Sequence, residues 1–216
     1  MKGLLKNNLY AALSNARFFL EVLALFGIFA AFVLSPGLLT GYVLLCMVGA
    51  TVIAILSLEK ENASKWRKYK LTTPIRRSDI VKSYYISQLV WLMAGSILAA
   101  IVVGASIVLH GFPFDRYADI FIIPVAGISV SLLTDAIFFP TFYFGGEEKS
   151  EVFLIISVCC SIGIVMGISG SINLLWGPDM TVMELFIAAM IMLACAVIGF
   201  LVSIPISIKA AAWREY

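Results

Sequence analysis

Glu59-Lys60-Glu61-Asn62-Ala63-Ser64-Lys65-Trp66-Arg67-Lys68-Tyr69-Lys70-Leu71-Thr72-Thr73-Pro74-Ile75-Arg76-Arg77-Ser78-Asp79-Ile80-Val81-Lys82 separates two long apolar runs and holds eight of the chain's fifteen Lys and Arg residues. Membrane proteins keep such cations on the cytoplasmic side, because moving them through a bilayer is costly. The remaining cations follow the same rule. Lys2, Lys6 and Arg17 precede the first apolar run, Lys149 falls in the fourth gap, and Lys209 and Arg214 lie in the tail. Arg116 alone falls in the alternate gaps. The split predicts a chain with both termini inside and the 59–82 segment as its one large cytoplasmic structure. A soluble partner would dock there.

Composition agrees. The 216 residues are 62% hydrophobic and 13% charged, against about 45–50% and about 25% in soluble domains. The expected class is an all-α integral membrane protein, a single domain over residues 1–216 with no room for a separate soluble one. A net charge of +2 gives no reason to expect nucleic acid as a partner. Cys46, Cys159, Cys160 and Cys195 all lie in apolar stretches without zinc-site spacing, so they read as small core hydrophobes. The lead before the first run is long for a signal peptide and shows no processing site.

A spanning helix needs roughly 20 apolar residues. Six spans are expected: 18–35, 38–58, 84–109, 119–143, 152–172 and 184–207. Ser35-Pro36-Gly37 is a tight uncharged turn, so the first two form a hairpin. Trp66, Tyr69, Tyr84, Tyr85, Tyr143 and Trp213 would mark the inner interface, and Phe112, Phe114, Tyr117 and Trp176 the outer one. Residues 2–16 read as an amphipathic elbow helix on the inner surface. Leu5, Leu9, Ala12, Leu13 and Ala16 form its apolar face, with Asn7, Ser14 and Asn15 opposite. It is either a membrane anchor or an anchor that also touches a partner.

Within 59–82, Glu61 and Lys65 are an i,i+4 pair and Trp66 and Tyr69 an i,i+3 pair. A short helix with aromatic knobs and a charged rim suits a cleft on another protein. Pro74 forces Thr73 out of helical geometry, and a second helix capped near Ser78 would lead into the third span. The competing reading is a basic loop held to anionic lipid.

The stretch from Glu61 to Ile86 resembles the first cytoplasmic loop of the small ABC-2 type ABC-transporter permeases. Lys65-Trp66, Tyr69, Leu71-Thr72-Thr73-Pro74 and Arg77-Ser78-Asp79-Ile80-Val81 carry the likeness. Phe139-Pro140-Thr141-Phe142-Tyr143-Phe144-Gly145-Gly146-Glu147-Glu148-Lys149 is similar to the family's segment at the inner end of span four, and the opening Met1 to Asn7 is similar to its usual start. Two departures are Thr73 before Pro74 and Gly146 in the Glu/Lys-rich run. The resemblance implies a half-transporter: two permeases, identical or different, with two cytoplasmic ATP-binding subunits. The 59–72 helix would then be the coupling helix between spans two and three. Glu61, Lys65, Trp66, Arg67 and Tyr69 would contact the ATPase. No cofactor is expected in this chain; ATP and Mg belong to the partner. Gly145 to Ser150 ends in Lys149-Ser150, but Glu148 stands where a phosphate loop needs Gly. Relatives of this size include exporters of phenol-soluble modulins and bacteriocin-immunity permeases, so an amphipathic peptide or lipid-like cargo is expected.

Asp135 is the one carboxylate deep in a span, where an ionised group costs about 2.5–3.5 kcal/mol on insertion scales. It is a candidate polar residue of the translocation path, or a hydrogen-bonded packing residue with Thr134 and Thr141 nearby. Gly163 and Gly167 form a GxxxG pattern, followed by Gly170, for helix packing or a dimer contact. Ser96, Ala100 and Gly104 repeat that spacing. The lone His110 reads as an interfacial residue. Glu147-Glu148 also occurs in intramembrane proteases of the Glu-Glu-x-x-x-Arg type, but position 152 is Val and no inner histidine accompanies the pair. A secondary transporter would show repeats and paired intramembrane charges, and the halves here do not repeat. The surviving alternative is a non-transporting scaffold or sensor that recruits a cytoplasmic partner through 59–82.

Overall fold

The computed structural model describes residues 2–33, 35–63, 76–114, 116–146, 149–177 and 181–213. Six long helices fill them: α1 Lys2–Phe32, α2 Pro36–Ala63, α3 Arg77–His110, α4 Asp119–Gly145, α5 Ser150–Trp176 and α6 Val182–Trp213. No strand occurs among the described residues. Helices α2 to α6 are long and apolar enough to cross a membrane. The first helix makes a sixth span only if its two arms, Lys6–Ser14 and Ala16–Phe32, are taken together across a 63° bend. The chain is a multi-pass membrane protein.

The helices overrun the apolar runs that predict them. α3 begins at Arg77, and its first turn carries Asp79, a favourable charge at a helix N-terminus. The expected cap near Ser78 is not there. Arg76 holds the N-cap position in extended geometry with no side-chain cap, and its carbonyl receives the Asp79 and Ile80 N–H groups. Helices α3, α4 and α5 end on Gly111, Gly146 and Gly177, each at positive φ. Gly146 thus interrupts the charged run because the chain turns there. Pro124 and Pro140 lie inside α4 and Pro205 inside α6 without ending them, a tolerance common in membrane helices.

α2 and α4 are the most enclosed helices. α4 packs chiefly on α6, then α5 and α2, while α3 lies against α2, α1 and α6. Tyr42, Val43, Cys46 and Met47 of α2 and Phe138, Phe139 and Phe142 of α4 build the centre of the core. α2 and α3 approach so closely that a Cβ on Gly95 would stand 2.5 Å from the Cys46 carbonyl oxygen. Backbones meet at that range only where one residue has no side chain.

The N-terminal arm docks on the bundle through part of the expected face, Leu9, Ala12 and Ala16, with Asn8 added and Leu13 left out. Asn8, Ala12 and Ala16, one turn apart, are buried. The two alanines cluster with Ile53, Ala54 and Trp91. Leu13 and Tyr10 are exposed. Leu9, Phe19 and Leu20 pack around the alanine cluster.

Candidate functional site

Of the expected partner-docking residues, Lys65, Trp66, Arg67 and Tyr69 lie outside the described residues. Glu61 stands in the last turn of α2, and its side chain is also outside the description. What the structure describes is the frame of that segment. Its two roots, the end of α2 and the start of α3, belong to helices that pack on each other. The N-terminal arm is fastened beside them: Asn8 Nδ2 donates to Ser83 Oγ at 3.2 Å, one to two turns into α3. Nearby, Phe139 and Phe142 of the family-like segment are buried, while Phe144 is exposed.

The polar content of the spans is gathered between helices. Tyr85 of α3, 2% exposed, shares hydrogen bonds with Ser203 Oγ at 2.9 Å and Ser207 Oγ at 2.8 Å, both on α6. Its ring meets Phe139 at 4.4 Å and Phe200 at 5.2 Å. On the other side of α4, Thr134 Oγ1 lies 2.9 Å from Ser161 Oγ of α5, and Ser161 also bonds the Ser157 carbonyl. Such interhelical bonds average about 0.6 kcal/mol, with a maximum of about 1.7. They join α3, α4, α5 and α6 at chosen registers.

Asp135 lies within this polar belt, 1% exposed, one turn along α4 from Phe139. Its Oδ1 has no hydrogen-bond partner among the described residues. The Thr134 hydroxyl goes to Val130 O and Ser161, and the Thr141 hydroxyl to Ile137 O and Phe138 O. Neither threonine serves the carboxyl. Thr134, the adjacent residue, points about 100° away around the helix.

Gly163, Gly167 and Gly170 are exposed, with nothing within 4 Å of where a Cβ would stand. α5 meets the bundle instead through Ser150, Leu154, Ser157, Ser161, Val165 and Ile172. Gly104 and Ala100 likewise face away from close contacts, and the tight approach of α3 uses Gly95. His110 is exposed at the end of α3. Cys46 is buried, the other three cysteines are exposed, and all four are free. Among the described residues, no three His, Cys, Asp or Glu side chains gather to hold a metal ion. The residues sequence reasoning missed are Asn8, Gln88, Ser203 and Ser207, and Tyr85, read as an inner-interface marker, is instead buried between helices. A polar side chain interrupting an apolar run was their only signal.

The family model described as "ABC-2 family transporter protein" matches residues 3–211. No curated protein and no solved structure matches the chain.

Proposed function

The chain belongs to the ABC-2 transporter family, and from that premise we propose that it forms the membrane path of an ATP-driven exporter of amphipathic cargo, a peptide or a lipid-like molecule. Members of this family are the transmembrane subunits of ABC transporters and work with a cytoplasmic ATPase. ATP and Mg are then bound by that partner. Two copies of the permease, or this chain with a related one, enclose the path. The family match over nearly the whole chain supports the role of transmembrane subunit, and the Lys/Arg split supports its orientation in the cell membrane, termini inside; export and the class of cargo are our proposal.

In this arrangement the 59–72 helix is the coupling element. Trp66 and Tyr69 fill a cleft on the ATPase, and Glu61, Lys65 and Arg67 sit at its rim. Closure of the ATPase pair pushes on the roots of α2 and α3 and shifts the permease between inward-open and outward-open states. Asp135, enclosed within one bundle, reaches the path only if the helices around it part.

The test is reconstitution in vesicles. The purified chain alone should hydrolyse no ATP. With a cognate ATPase subunit, hydrolysis should appear, and a labelled amphipathic peptide should accumulate inside inverted vesicles. Hydrolysis by the chain alone, unaffected by a mutation in the ATPase, would refute the reading.

A further inference from the structure

A cavity of about 10 Å³ lies where the N-terminal arm of α1 meets α2, α3 and α4. Asn8, Ser57, Ser87 and Gln88 supply its polar wall, and Phe139 part of its apolar wall. All five side chains are buried. The volume is at the lower end of what one water needs, about 10–15 Å³. Gln88 is 2% exposed, and its Oε1 has no hydrogen-bond partner among the described residues. A buried amide oxygen without a donor is costly. Ser57 gives its own proton to the Ala54 carbonyl at 2.7 Å, so towards a guest its oxygen only accepts. A small molecule that donates to Gln88 Oε1 would satisfy that atom, and Ser57 Oγ is free to accept its second proton. No charged residue lines the cavity, so a cation would lack a counter-charge there.

We propose that this cavity is a water-binding site, in which one buried water donates to Gln88 Oε1 and Ser57 Oγ beneath Asn8. With the Asn8–Ser83 bond, the water makes a polar clasp that fastens the N-terminal arm to α2 and α3. Ser57 lies about two turns before the end of α2, Ser83 one to two turns into α3 and Gln88 about three. The clasp thus ties together the roots of the segment 64–75. Any movement of those roots must carry the arm with it or break the clasp. The inference does not depend on what the protein transports.

The test uses the full chain in lipid nanodiscs. Gln88→Met keeps the length of the side chain and removes its acceptor. Ser57→Ala removes the second acceptor with a smaller change of shape. With a bound water, each variant lowers the melting temperature and loses amide-exchange protection in residues 2–16, while α5 keeps its protection. If the cavity holds no water, Gln88→Met removes an unsatisfied group. It then raises the melting temperature and leaves the arm protected, which overturns the proposal. Should Gln88→Met fail to fold, Ser57→Ala decides. Unchanged melting and unchanged protection of the arm in that variant also overturn it.

Discussion

Substituting Gly95 by alanine adds one methyl group at a close approach of α2 and α3. The new Cβ would stand 2.5 Å from the Cys46 carbonyl oxygen and 2.9 Å from Ala50 Cβ. Neither atom can rotate aside, because one is backbone and the other has no rotamer. Carbon contacts settle near about 3.5–4.0 Å, so the two helices must separate by roughly 0.5–1 Å. Overpacking of this kind costs about 1–3 kcal/mol. Alanine regains about 0.5–1 kcal/mol of helix preference over glycine, which leaves a net loss of about 0–2.5 kcal/mol, centred near 1. Gly163→Ala is the matched control. Nothing lies within 4 Å of its Cβ position, so the preference stands alone and the single chain should gain up to about 1 kcal/mol. Unfolding of the monomer in mixed detergent micelles measures both. A Gly95→Ala chain as stable as the Gly163→Ala control would refute the close approach of α2 and α3. A Gly163→Ala monomer that loses as much stability would refute the outward placement of that glycine.

Tyr85→Phe keeps the ring contacts with Phe139 and Phe200 and removes the hydrogen bonds to Ser203 and Ser207. At about 0.6 kcal/mol for each bond, the loss should be about 1 kcal/mol. A double-mutant cycle with Ser203→Ala should be non-additive, and simple additivity would deny the link between α3 and α6. Trp66→Ala should weaken ATPase binding by about 2 kcal/mol or more, and Lys65→Ala and Arg67→Ala by less, about 0–1 kcal/mol and salt-dependent. Titration of the ATPase subunit onto nanodisc-held chain checks this. Equal losses that follow anionic lipid content would replace partner docking by lipid tethering. In a chain freed of its native cysteines, Ser64→Cys should resist an impermeant thiol reagent added to whole cells, and Pro178→Cys should react. The opposite labelling pattern would reverse the orientation.

The positions of helices α2 to α6 were legible in the apolar runs, since each run of roughly 20 residues must leave water as a helix. Their ends were less so. Residues 78–83 read as a second helix leading into the third span, and the structure joins the two as one helix from Arg77 to His110 with Arg76 at its N-cap. The arm's apolar face was legible in part: Leu9, Ala12 and Ala16 do meet the bundle, but Leu13 is exposed and the polar Asn8 is buried in its place. The GxxxG of α5 was the most visible packing signal, but Gly95, with no motif around it, is where two backbones meet. Asp135 was legible as costly; its enclosure within one bundle, beside two threonines bonded elsewhere, was not.

By itself the sequence determined the class of the molecule and the long apolar helices that can cross a bilayer. Each follows from the cost of moving charges or bare backbone into hydrocarbon, a property of a segment alone. Tertiary structure decided which face of each helix meets which neighbour, and with it the Tyr85–Ser203–Ser207 link, the Asn8 contact and the cavity at Gln88. Helices that are apolar all round gain nothing by turning a hydrophobic face away from equally apolar lipid. Contact shape and the few hydrogen bonds between helices make that choice, and they exist only once the helices are together.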